Sequence, residues 1–309
     1  MALLLVMPQL KPDAWVRQIQ RCDPTLEVRI WPETGDPAEI DFVISWNHPP
    51  GEFLRYPALG CIASMGAGVD HIFRDPDLPA GVPVTRIVDP SMAWSMSEYV
   101  IMAVLNHCRH QRHYDRSQSA GRWQPKLPLP AERRSVGILG LGQLGADLAG
   151  KLCAIGFSVA GWRRTERPLA GIDTYWGDDQ LAAFLERSRI LVCLLPLTDR
   201  TRGILNADLF ARLPEGAYLV NVARGGHLRE ADLLDALESG RLSGACLDVF
   251  DTEPLPAGHP FWTHEKIVVT PHISSLTNPK AVVPQIVDNC HRLRSGRPLN
   301  HVVDREQGY

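Results

Sequence analysis

The sequence predicts an α/β protein built from two Rossmann-like, doubly wound parallel-sheet domains with a cleft between them. Three observations support this prediction. Short apolar segments alternate with helix-like segments along the chain, a pattern typical of parallel sheets covered by helices. A glycine-rich turn joins a predicted strand to a predicted helix at residues 135–145. With 309 residues, the chain also exceeds about 250–300 residues, where a single core usually stops growing.

The N-terminal part of the chain alternates between short strands and helices. Strands are predicted at residues 3–7, 27–30, 42–45, 59–63 and 84–88, and helices at residues 13–20 and 97–109. The second helix follows Asp89-Pro90-Ser91 and is expected to lead the chain out of the first domain. A final helix at residues 279–293 is expected to return to it. The predicted domains are residues 1–98 with 279–309, and residues 99–278.

A second alternating block follows an irregular connection at residues 121–130, which contains Trp123 and three prolines. Strands are predicted at residues 136–139, 157–160, 190–194, 217–222, 244–249 and 267–270. Helices fill the gaps between these strands. The helix at residues 230–239 is followed by Gly240, a common signal for a helix end.

The glycine-rich turn has the spacing G-x-G-x-x-G, typical of dinucleotide binding. Gly140 allows the tight turn, Gly142 lets the backbone approach a pyrophosphate, and Gly145 lets the helix pack closely on the strand. The helix N-terminus offers unpaired N–H groups and a partial positive charge to the phosphates. A purely structural turn is the alternative, but the strand before the motif and the apolar helix after it favour a dinucleotide.

Composition limits the classes of partner. Apolar residues make up 45% and charged residues 22% of the chain, and the net charge is −3. These values are ordinary for a globular protein and provide no basic stripe for nucleic acid or anionic lipid. The apolar N-terminus is too short for a membrane span and is interpreted as a buried strand. Seven scattered cysteines without a C-x-x-C pair favour a reducing cytoplasm over disulfides or a zinc site.

Three histidines, His107, His110 and His113, recur at every third position from the end of the predicted helix 97–109 into its continuation. Histidines at this spacing can bind a metal. The charged residues between them instead favour a solvent-facing helix surface, so no metal is predicted.

Three chemically capable residues follow predicted strand ends in the second block. They are Arg224, Glu253 and His272, and parallel strands bring their carboxyl ends to one edge of a sheet. An arginine can pair with a carboxylate while polarising a carbonyl, and a histidine oriented by a glutamate can donate a proton. Each residue alone fits a structural role: a loop ion pair, a solvated acid, or a histidine in a turn.

Two strand ends in the first block are also notable. One continues into Trp46-Asn47-His48-Pro49-Pro50, and the other into Met65-Gly66-Ala67-Gly68. Gly66 and Gly68 are expected to expose backbone N–H groups where a small carboxylate could bind. A tight strand-to-helix turn is an equally good interpretation of these glycines.

The residues after the second strand of the cofactor block indicate which dinucleotide is used. An acidic residue there normally binds the ribose 2′-OH of NAD, whereas an arginine suits the 2′-phosphate of NADP. Here Arg163, Arg164 and Thr165 occupy the position, and the first carboxylate, Glu166, comes late. The alternative is a solvated basic loop. NADPH is predicted to be preferred over NADH.

In combination, these motifs resemble one family. Over nearly its whole length the chain resembles the D-isomer-specific 2-hydroxyacid dehydrogenases. The motifs that carry this resemblance are Gly140 to Gly145, Asn221-Val222-Ala223-Arg224-Gly225, Asp248-Val249-Phe250 with Glu253-Pro254-Leu255, and Pro271-His272. Within this family, the chain is most similar to the members that reduce glyoxylate and hydroxypyruvate. Three segments carry this similarity: Met65 to Asp70, Val88 to Met92 and the ending Val303 to Tyr309.

The resemblance implies hydride transfer from NAD(P)H to a small 2-oxo acid by a homodimer formed largely through the cofactor domain. Residues 99–278 would bind the dinucleotide, and residues 1–98 with 279–309 would form the substrate-binding (lid) domain. It makes Arg224 the substrate-binding arginine, His272 the acid/base and Glu253 its partner. The implied cofactor-binding residues are Gly140, Gly142, Gln143, Leu144, Gly145, Trp162, Arg163, Arg164, Thr165, Leu195, Pro196, Val222, Ala223, Asp248 and Ser274. The implied substrate-binding residues are Trp46, Met65, Gly66, Ala67, Arg224 and His272.

Two positions depart from the family pattern. Gly226-His227 replaces a bulkier pair after the arginine and glycine, and the tryptophan in Trp46-Asn47-His48-Pro49 is spaced differently from its proline. Both bear on substrate shape. Two other functions use the same fold: a dehydrogenase for formate or phosphite, and a non-catalytic dinucleotide sensor or corepressor. The intact set of arginine, glutamate and histidine favours catalysis over sensing.

Overall fold

The structure is a computed structural model, and it describes residues 1–8 and 10–308. Gln9 and Tyr309, the latter at the end of the predicted lid domain, lie outside the described residues. The chain divides into two compact units. The first unit is Met1–Ser91 with Thr277–Tyr309, and the second unit is Met92–Leu276.

Twelve strands and nine α-helices make up the described part of the chain. The strands are β1 (Ala2–Val6), β2 (Val28–Ile30), β3 (Ile40–Ser45), β4 (Cys61–Ser64), β5 (Val84–Thr85), β6 (Ser135–Leu139), β7 (Ser158–Arg163), β8 (Asp173–Trp176), β9 (Ile190–Cys193), β10 (Ala217–Asn221), β11 (Leu242–Leu247) and β12 (Ile267–Val269). The helices are α1 (Asp13–Cys22), α2 (Asp70–Phe73), α3 (Pro90–Cys108), α4 (Gln111–Ser119), α5 (Gln143–Ala154), α6 (Leu181–Glu186), α7 (Ala207–Arg212), α8 (Glu230–Glu238) and α9 (Pro279–Arg294).

The first unit contains a five-stranded parallel sheet in the order β2-β1-β3-β4-β5. Its central strands β1, β3 and β4 are buried along their whole length, as expected where helices cover both faces of a sheet. The last helix, α9, packs against α1 in this unit. Arg294 near its end makes a two-pronged pair with Asp41 of β3, with N···O distances of 2.7 and 2.8 Å. That pair fixes the C-terminal helix to the sheet.

The second unit contains a seven-stranded parallel sheet in the order β12-β11-β10-β9-β6-β7-β8. Buried apolar residues form two large clusters in this unit. The strand order reverses at β6, whose neighbours are β7 and β9, and ligands of doubly wound sheets bind beside that reversal. The predicted α/β fold with two parallel sheets is confirmed, and the glycine-rich turn follows the strand at the reversal.

Every predicted strand is present, although several ends differ. Strand β7 continues to Arg163, so this arginine ends a strand and does not lie in a loop. Strand β5 stops at Thr85, because Ile87 N–H donates instead to the carbonyl of Gly66 in the neighbouring turn. Helix α3 begins at Pro90, within the predicted helix entry at Asp89-Pro90-Ser91. The sequence implies a third strand of this block between residues 160 and 190 without giving its bounds, and the structure shows it as β8 (Asp173–Trp176).

The predicted solvent-facing surface of three histidines is wrong. Helix α3 ends at Cys108, and His110, at φ +58°, starts the separate helix α4. His107 stacks on Tyr218 with ring centroids 4.0 Å apart, and burial lowers its pKa to about 4. His110 Nε2 and His113 Nε2 lie 2.9 and 3.0 Å from carbonyl oxygens of the segment 121–130. In the described residues, no cluster of three or more His, Cys, Asp or Glu is arranged to hold a metal.

None of the helices in the described part of the chain has the length and apolar character needed to cross a bilayer. All seven cysteines are free, and five of them are buried: Cys61, Cys108, Cys193, Cys246 and Cys290.

Candidate active site

The glycine-rich turn between β6 and α5 has the geometry that its sequence predicts. Gly140 has φ +106°, and a Cβ at this position would lie 2.8 Å from the carbonyl oxygen of Leu194. A Cβ on Gly145 would lie 2.0 Å from the carbonyl oxygen of Gly140. Both positions therefore require glycine, one for backbone conformation and one for close helix packing.

The N-terminus of α5 fits a phosphate group. Gly142, the residue before the helix, has no atom within 4 Å of the position its Cβ would take, and no side chain caps the helix. The first N–H groups of a helix have no intrahelical acceptor. Those of Gln143 and Leu144 are at this end, with Gln143 exposed and Leu144 half-buried. This arrangement leaves donors and a positive dipole end available to an anion.

The end of β7 carries the residues expected to select the dinucleotide. The indole of Trp162 is buried in the core and its Nε1 donates to the carbonyl of Gly177 at 2.8 Å, while its own carbonyl accepts from Gly140 N–H at 2.9 Å. Arg163 Nη1 donates to the carbonyl of Arg167 at 3.1 Å, and its buried Nε has no partner in the described structure. Arg164 and Thr165 are exposed. Arg163 is therefore the last residue of the strand next to the glycine-rich turn, and Arg164 follows it.

The loop after β9 joins the predicted cofactor residues to the arginine loop. Leu195 is buried in the core. The carbonyl of Pro196 accepts a hydrogen bond from Thr201 Oγ1 at 2.7 Å and lies 3.3 Å from His227 Nε2. His227 is fully buried, and its Nδ1 lies 3.1 Å from the carbonyl of Arg224. The histidine that departs from the family pattern therefore bridges two loops inside the second unit.

The loop after β10 carries Arg224. Val222 and Ala223 before it are buried, and Arg224 Nη1 donates to the carbonyl of Ala223 at 2.7 Å. A Cβ on the next residue, Gly225, would lie 1.8 Å from the carbonyl carbon of Phe250. The glycine therefore allows the arginine loop to lie directly against the loop that carries Glu253.

Asp248 organises the loop after β12. Its side chain is fully buried, and its Oδ1 accepts from Thr270 Oγ1 at 2.5 Å and from Ile273 N at 2.9 Å. Its Oδ2 accepts from Ser274 N at 2.8 Å. Asp248 and Ser274 were expected near the cofactor. In the structure, the Asp248 carboxylate fixes the loop that carries His272 by accepting from the backbone N–H groups of Ile273 and Ser274. The partner Thr270, which also contacts Tyr99, was not predicted.

Glu253 and His272 are in direct contact. His272 Nδ1 lies 2.8 Å from Glu253 Oε2, and Glu253 Oε1 accepts from Phe250 N at 2.9 Å. The side chains are 31% and 35% exposed, respectively. His272 has φ +54°, and its N–H donates to the carbonyl of Asp248 at 2.8 Å. A non-glycine residue in this region costs about 1–3 kcal/mol, a strain typical of functional sites.

The pKa of Glu253 reflects opposing effects. Burial alone would raise the pKa, but the hydrogen bonds from His272 and from Phe250 N, together with the charges of His272 and Arg224, lower it overall. Glu253 is therefore kept as a carboxylate at neutral pH. Because this carboxylate can only accept, it holds a hydrogen on His272 Nδ1 and fixes the orientation of the ring.

The predicted substrate residues of the first unit follow β3 and β4. The Trp46 ring packs against His71 at a tilt, with ring centroids 4.4 Å apart, and a Cβ on Gly66 would lie 3.2 Å from Trp46 Cζ3. Met65 is buried, and its N–H donates to the carbonyl of Ser45 at 3.2 Å. These contacts place Trp46 and the Met65-Gly66 turn side by side within the first unit.

The expectation that Gly66 exposes its N–H group is wrong. That N–H donates to Ser64 Oγ at 3.1 Å, because the serine hydroxyl turns toward the loop and itself donates to the carbonyl of Gly68 at 2.8 Å. Among the described residues, the N–H groups of Ala67 and Gly68 have no such partner. The donors available to an anion therefore lie one or two residues further along the turn.

Comparison with known proteins identifies a family and several similar chains. The family model "D-isomer specific 2-hydroxyacid dehydrogenase, NAD binding domain" matches residues 101–274. The glyoxylate/hydroxypyruvate reductase A of Serratia proteamaculans is 41% identical over 314 residues, covering 100% of both chains.

Two solved structures are similar over essentially the whole chain. A D-isomer specific 2-hydroxyacid dehydrogenase from Xanthobacter autotrophicus Py2, in complex with NADPH and MES, has a TM-score of 0.93 and 42% identity, covering 100% of this chain and 99% of that one. The NADPH-dependent glyoxylate/hydroxypyruvate reductase of Sinorhizobium meliloti, in complex with NADP and sulfate, has a TM-score of 0.92 and 39% identity, with 100% of both chains covered.

Proposed function

Because the chain belongs to the D-isomer-specific 2-hydroxyacid dehydrogenase family, we propose that it reduces glyoxylate and hydroxypyruvate to 2-hydroxy acids with hydride from NADPH. The similar proteins from Serratia and Sinorhizobium are named for this activity, and the Sinorhizobium and Xanthobacter structures contain NADP or NADPH. The observation that supports the proposal best is the 2.8 Å contact between His272 Nδ1 and Glu253 Oε2, in a loop next to Arg224.

His272 is proposed to supply the proton. The carboxylate of Glu253 can only accept a hydrogen bond, so Nδ1 carries a hydrogen. In the described part of the chain Nε2 has no hydrogen-bond partner, and it is therefore the atom that gives a proton to the carbonyl oxygen during reduction. In the reverse direction Nε2 takes that proton from the hydroxyl group. Glu253 fixes the ring orientation and stabilises the imidazolium form.

Arg224 is proposed to bind the substrate. Its planar guanidinium can hold a carboxylate with two parallel hydrogen bonds and polarise the neighbouring carbonyl toward attack at carbon. Gly225 keeps this arginine loop against the Glu253 loop, so the charge of Arg224 and the proton of His272 act on the same small molecule.

The second unit is proposed to bind the dinucleotide. When bound, NADPH supplies the hydride that reduces the carbonyl carbon. The turn Gly140 to Gly145 would hold the pyrophosphate at the N-terminus of α5, and Arg163, Arg164 and Thr165 would recognise the 2′-phosphate, with NADH used less well. The other proposed contacts are at Trp162, Leu195, Pro196, Val222, Ala223, Asp248 and Ser274.

The first unit is proposed to act as the substrate-binding (lid) domain. The N–H groups of Ala67 and Gly68 can hold a carboxylate, while Trp46, Met65 and Gly66 form a narrow wall suited to a small side chain. Two-carbon and three-carbon 2-oxo acids are therefore expected to be preferred over branched or aromatic ones.

The protein is further proposed to be a cytoplasmic homodimer formed through the second unit. Two large apolar side chains of the connection before β6, Trp123 and Leu127, are 97% and 87% exposed, and covering such residues favours association. The free and mostly buried cysteines suit a reducing compartment. Light scattering of the wild type and of Trp123→Ser tests this, and a wild-type monomer at micromolar concentration would contradict the dimer.

The activity is tested by following NADPH oxidation with a panel of 2-oxo acids. We expect turnover with glyoxylate and hydroxypyruvate, and a lower kcat/KM for phenylpyruvate and for branched acids. A higher kcat/KM for phenylpyruvate than for glyoxylate would refute the substrate proposal. Tight NADPH binding without turnover of any 2-oxo acid would favour a sensor, and NADP reduction by formate or phosphite would favour the alternative dehydrogenase.

A further inference from the structure

A chain of three polar side chains lies buried beneath the turn that carries Trp46. Ser45 Oγ is 3.0 Å from His48 Nδ1, and His48 Nε2 is 3.1 Å from Asp75 Oδ2. The side chains of His48 and Asp75 are 0% and 2% exposed. Nothing in the proposed reaction uses these three groups, and buried polar chains need a reason because their desolvation is costly.

The hydrogen bonds of this chain select one form of His48. The Asp75 carboxylate also accepts from the N–H groups of Gly51, at 3.0 and 3.1 Å, and Asp77, at 3.0 Å. It is therefore the acceptor, so His48 Nε2 donates to it and Nδ1 accepts from the Ser45 hydroxyl. Burial lowers the pKa of His48 and so favours the same neutral form.

The order serine, histidine, aspartate is that of a hydrolase, but the location excludes nucleophilic attack. Ser45 is fully buried at the end of β3. The His48 ring packs on Phe53 with centroids 4.0 Å apart. Because a substrate cannot reach the serine hydroxyl, the three groups hold structure in place.

The structure that they hold is the backbone around Trp46. Asn47, between Trp46 and His48, has φ +51°, a conformation that costs free energy for a non-glycine residue. The carbonyl of Ser45 lies 3.2 Å from Met65 N and 3.3 Å from His71 Nε2. The Ser45–His48 contact closes this turn, with Trp46 half-buried and its ring between His71 and Gly66.

We propose that His48 is a positioning residue that, with Ser45 and Asp75, holds Trp46 against Gly66 and thereby excludes 2-oxo acids with large side chains. This inference rests on the proposed function, in which Trp46 limits the size of the substrate. His48 does not contact the substrate. Its loss is expected to change which acids are accepted, with a much smaller change in the chemistry at His272.

The first test compares His48→Ala with a matched variant, His291→Ala. His291 Nε2 also contacts an aspartate of the first unit, Asp23, at 2.8 Å, but on the surface. We expect the ratio of kcat/KM for glyoxylate to that for phenylpyruvate to fall at least about fivefold in His48→Ala, with kcat for glyoxylate within about threefold of wild type. His291→Ala should keep the wild-type ratio. Equal ratios in the two variants would overturn the inference.

Asp75→Asn is the conservative variant. An asparagine retains an acceptor for Gly51 N–H and can donate to His48 Nε2, which reverses the donor directions and keeps the chain connected. It should therefore retain most of the selectivity that His48→Ala loses. A loss of selectivity as large as that of His48→Ala would contradict the positioning role. If His48→Ala does not fold, Ser45→Ala is used in its place. That change removes one of the two hydrogen bonds of His48 with little loss of volume, and the same change in the substrate ratio is expected.

The second test asks whether His48 acts through Trp46. In a Trp46→Ala background, His48→Ala should change the substrate ratio by less than about twofold, because coupled residues are not additive. If His48→Ala still lowers the substrate ratio about fivefold in that background, His48 does not act through Trp46, and the inference is overturned.

The third test does not depend on turnover. The protein is labelled with 5-fluorotryptophan, and the ¹⁹F resonance of Trp46 is assigned from Trp46→Phe. We expect this resonance to shift or broaden in His48→Ala and to remain unchanged in His291→Ala; an unchanged resonance in both variants would overturn the positioning. A wild type that reduces no 2-oxo acid would refute the proposed function while this measurement still decides the role of His48.

Discussion

Two histidine–carboxylate pairs, one in each unit, have the same chemistry and different surroundings. His272 and Glu253 are 2.8 Å apart and each about one-third exposed, after the ends of strands β12 and β11. His48 and Asp75 are 3.1 Å apart and almost completely buried. The first pair leaves Nε2 available to a substrate, whereas in the second pair both ring nitrogens are used inside the protein.

Access, and not pairing, decides what a histidine–carboxylate pair can do. A half-exposed imidazole with a ring nitrogen open to the substrate can transfer a proton to it. A buried imidazole with both nitrogens hydrogen-bonded is kept neutral, and its role is to hold neighbouring groups in position.

The largest effect is expected for His272→Ala. Loss of a positioned acid typically costs about 10²–10⁴-fold in rate, and NADPH affinity should be unchanged because the residue acts only as the carbonyl is reduced. The measurement is kcat with glyoxylate and the NADPH dissociation constant by fluorescence titration. Turnover within tenfold of wild type would show that the half-exposed pair is not the proton donor.

Arg224→Ala should have the next largest effect. The arginine is proposed both to hold the carboxylate and to polarise the carbonyl, so KM should rise and kcat should fall, with kcat/KM lower by about 10²-fold or more. Steady-state kinetics with glyoxylate measures both parameters, and Arg224→Lys serves as a control that keeps the charge and loses the two-pronged geometry. An unchanged KM for the oxo acid would argue against carboxylate binding by Arg224.

The sequence predicted the half-exposed pair and could not predict the buried one. Arg224, Glu253 and His272 each follow a strand of a parallel sheet, and strand ends are recognisable from alternating apolar segments. The contact between His48 and Asp75 spans 27 positions and depends on how the chain returns after β4. No spacing rule connects the two residues. The turn between them also cannot be recognised from a glycine, because the residue with positive φ is Asn47.

Other differences have similar physical causes. Strand β8 (Asp173–Trp176) is short and lies at the sheet edge beside Arg163, where pairing with β7 decides the conformation. Helix α3 ends at Cys108 without glycine or proline, because His110 turns into the left-handed region and contacts the carbonyl of Leu127. The prediction that Gly66 offers a free N–H group was wrong because that N–H donates to Ser64 Oγ. The orientation of the Ser64 side chain could not be predicted from the sequence.

A smaller effect is expected at the dinucleotide-selecting strand end. Arg163→Ala should lower the ratio of kcat/KM for NADPH to that for NADH, which is predicted to be at least about tenfold in the wild type, or about 1.4 kcal/mol. Arg163 Nη1 donates to the carbonyl of Arg167 at 3.1 Å, and this hydrogen bond orients the guanidinium. Arg164→Ala, a change of the exposed neighbour, is the comparison. Equal use of both dinucleotides by the wild type, or an unchanged ratio in Arg163→Ala, would remove the case for this arginine.

The smallest effect concerns a buried histidine that has no carboxylate partner. His107 stacks on Tyr218, and burial lowers its pKa to about 4, below the ordinary value of 6.5. The unfolded chain therefore binds a proton at His107 before the folded chain does, so stability falls as the pH drops below 6.5 and continues to fall until about pH 4. Above pH 7 neither state is protonated at this site, and no contribution is expected.

His107→Phe keeps an aromatic ring on Tyr218 and removes the titrating group. Between pH 7 and pH 5.5 the free energy of unfolding of the wild type should fall by about 1.2 kcal/mol more than that of His107→Phe, about an eightfold difference in the unfolding equilibrium constant. Urea denaturation at both pH values measures this difference, and denaturation at pH 8 and pH 7, where the two proteins should change almost equally, is the control. If the wild type and His107→Phe lose the same stability between pH 7 and pH 5.5, the buried ring is protonated as easily as a solvated one, and access would no longer explain why the buried and half-exposed histidines differ.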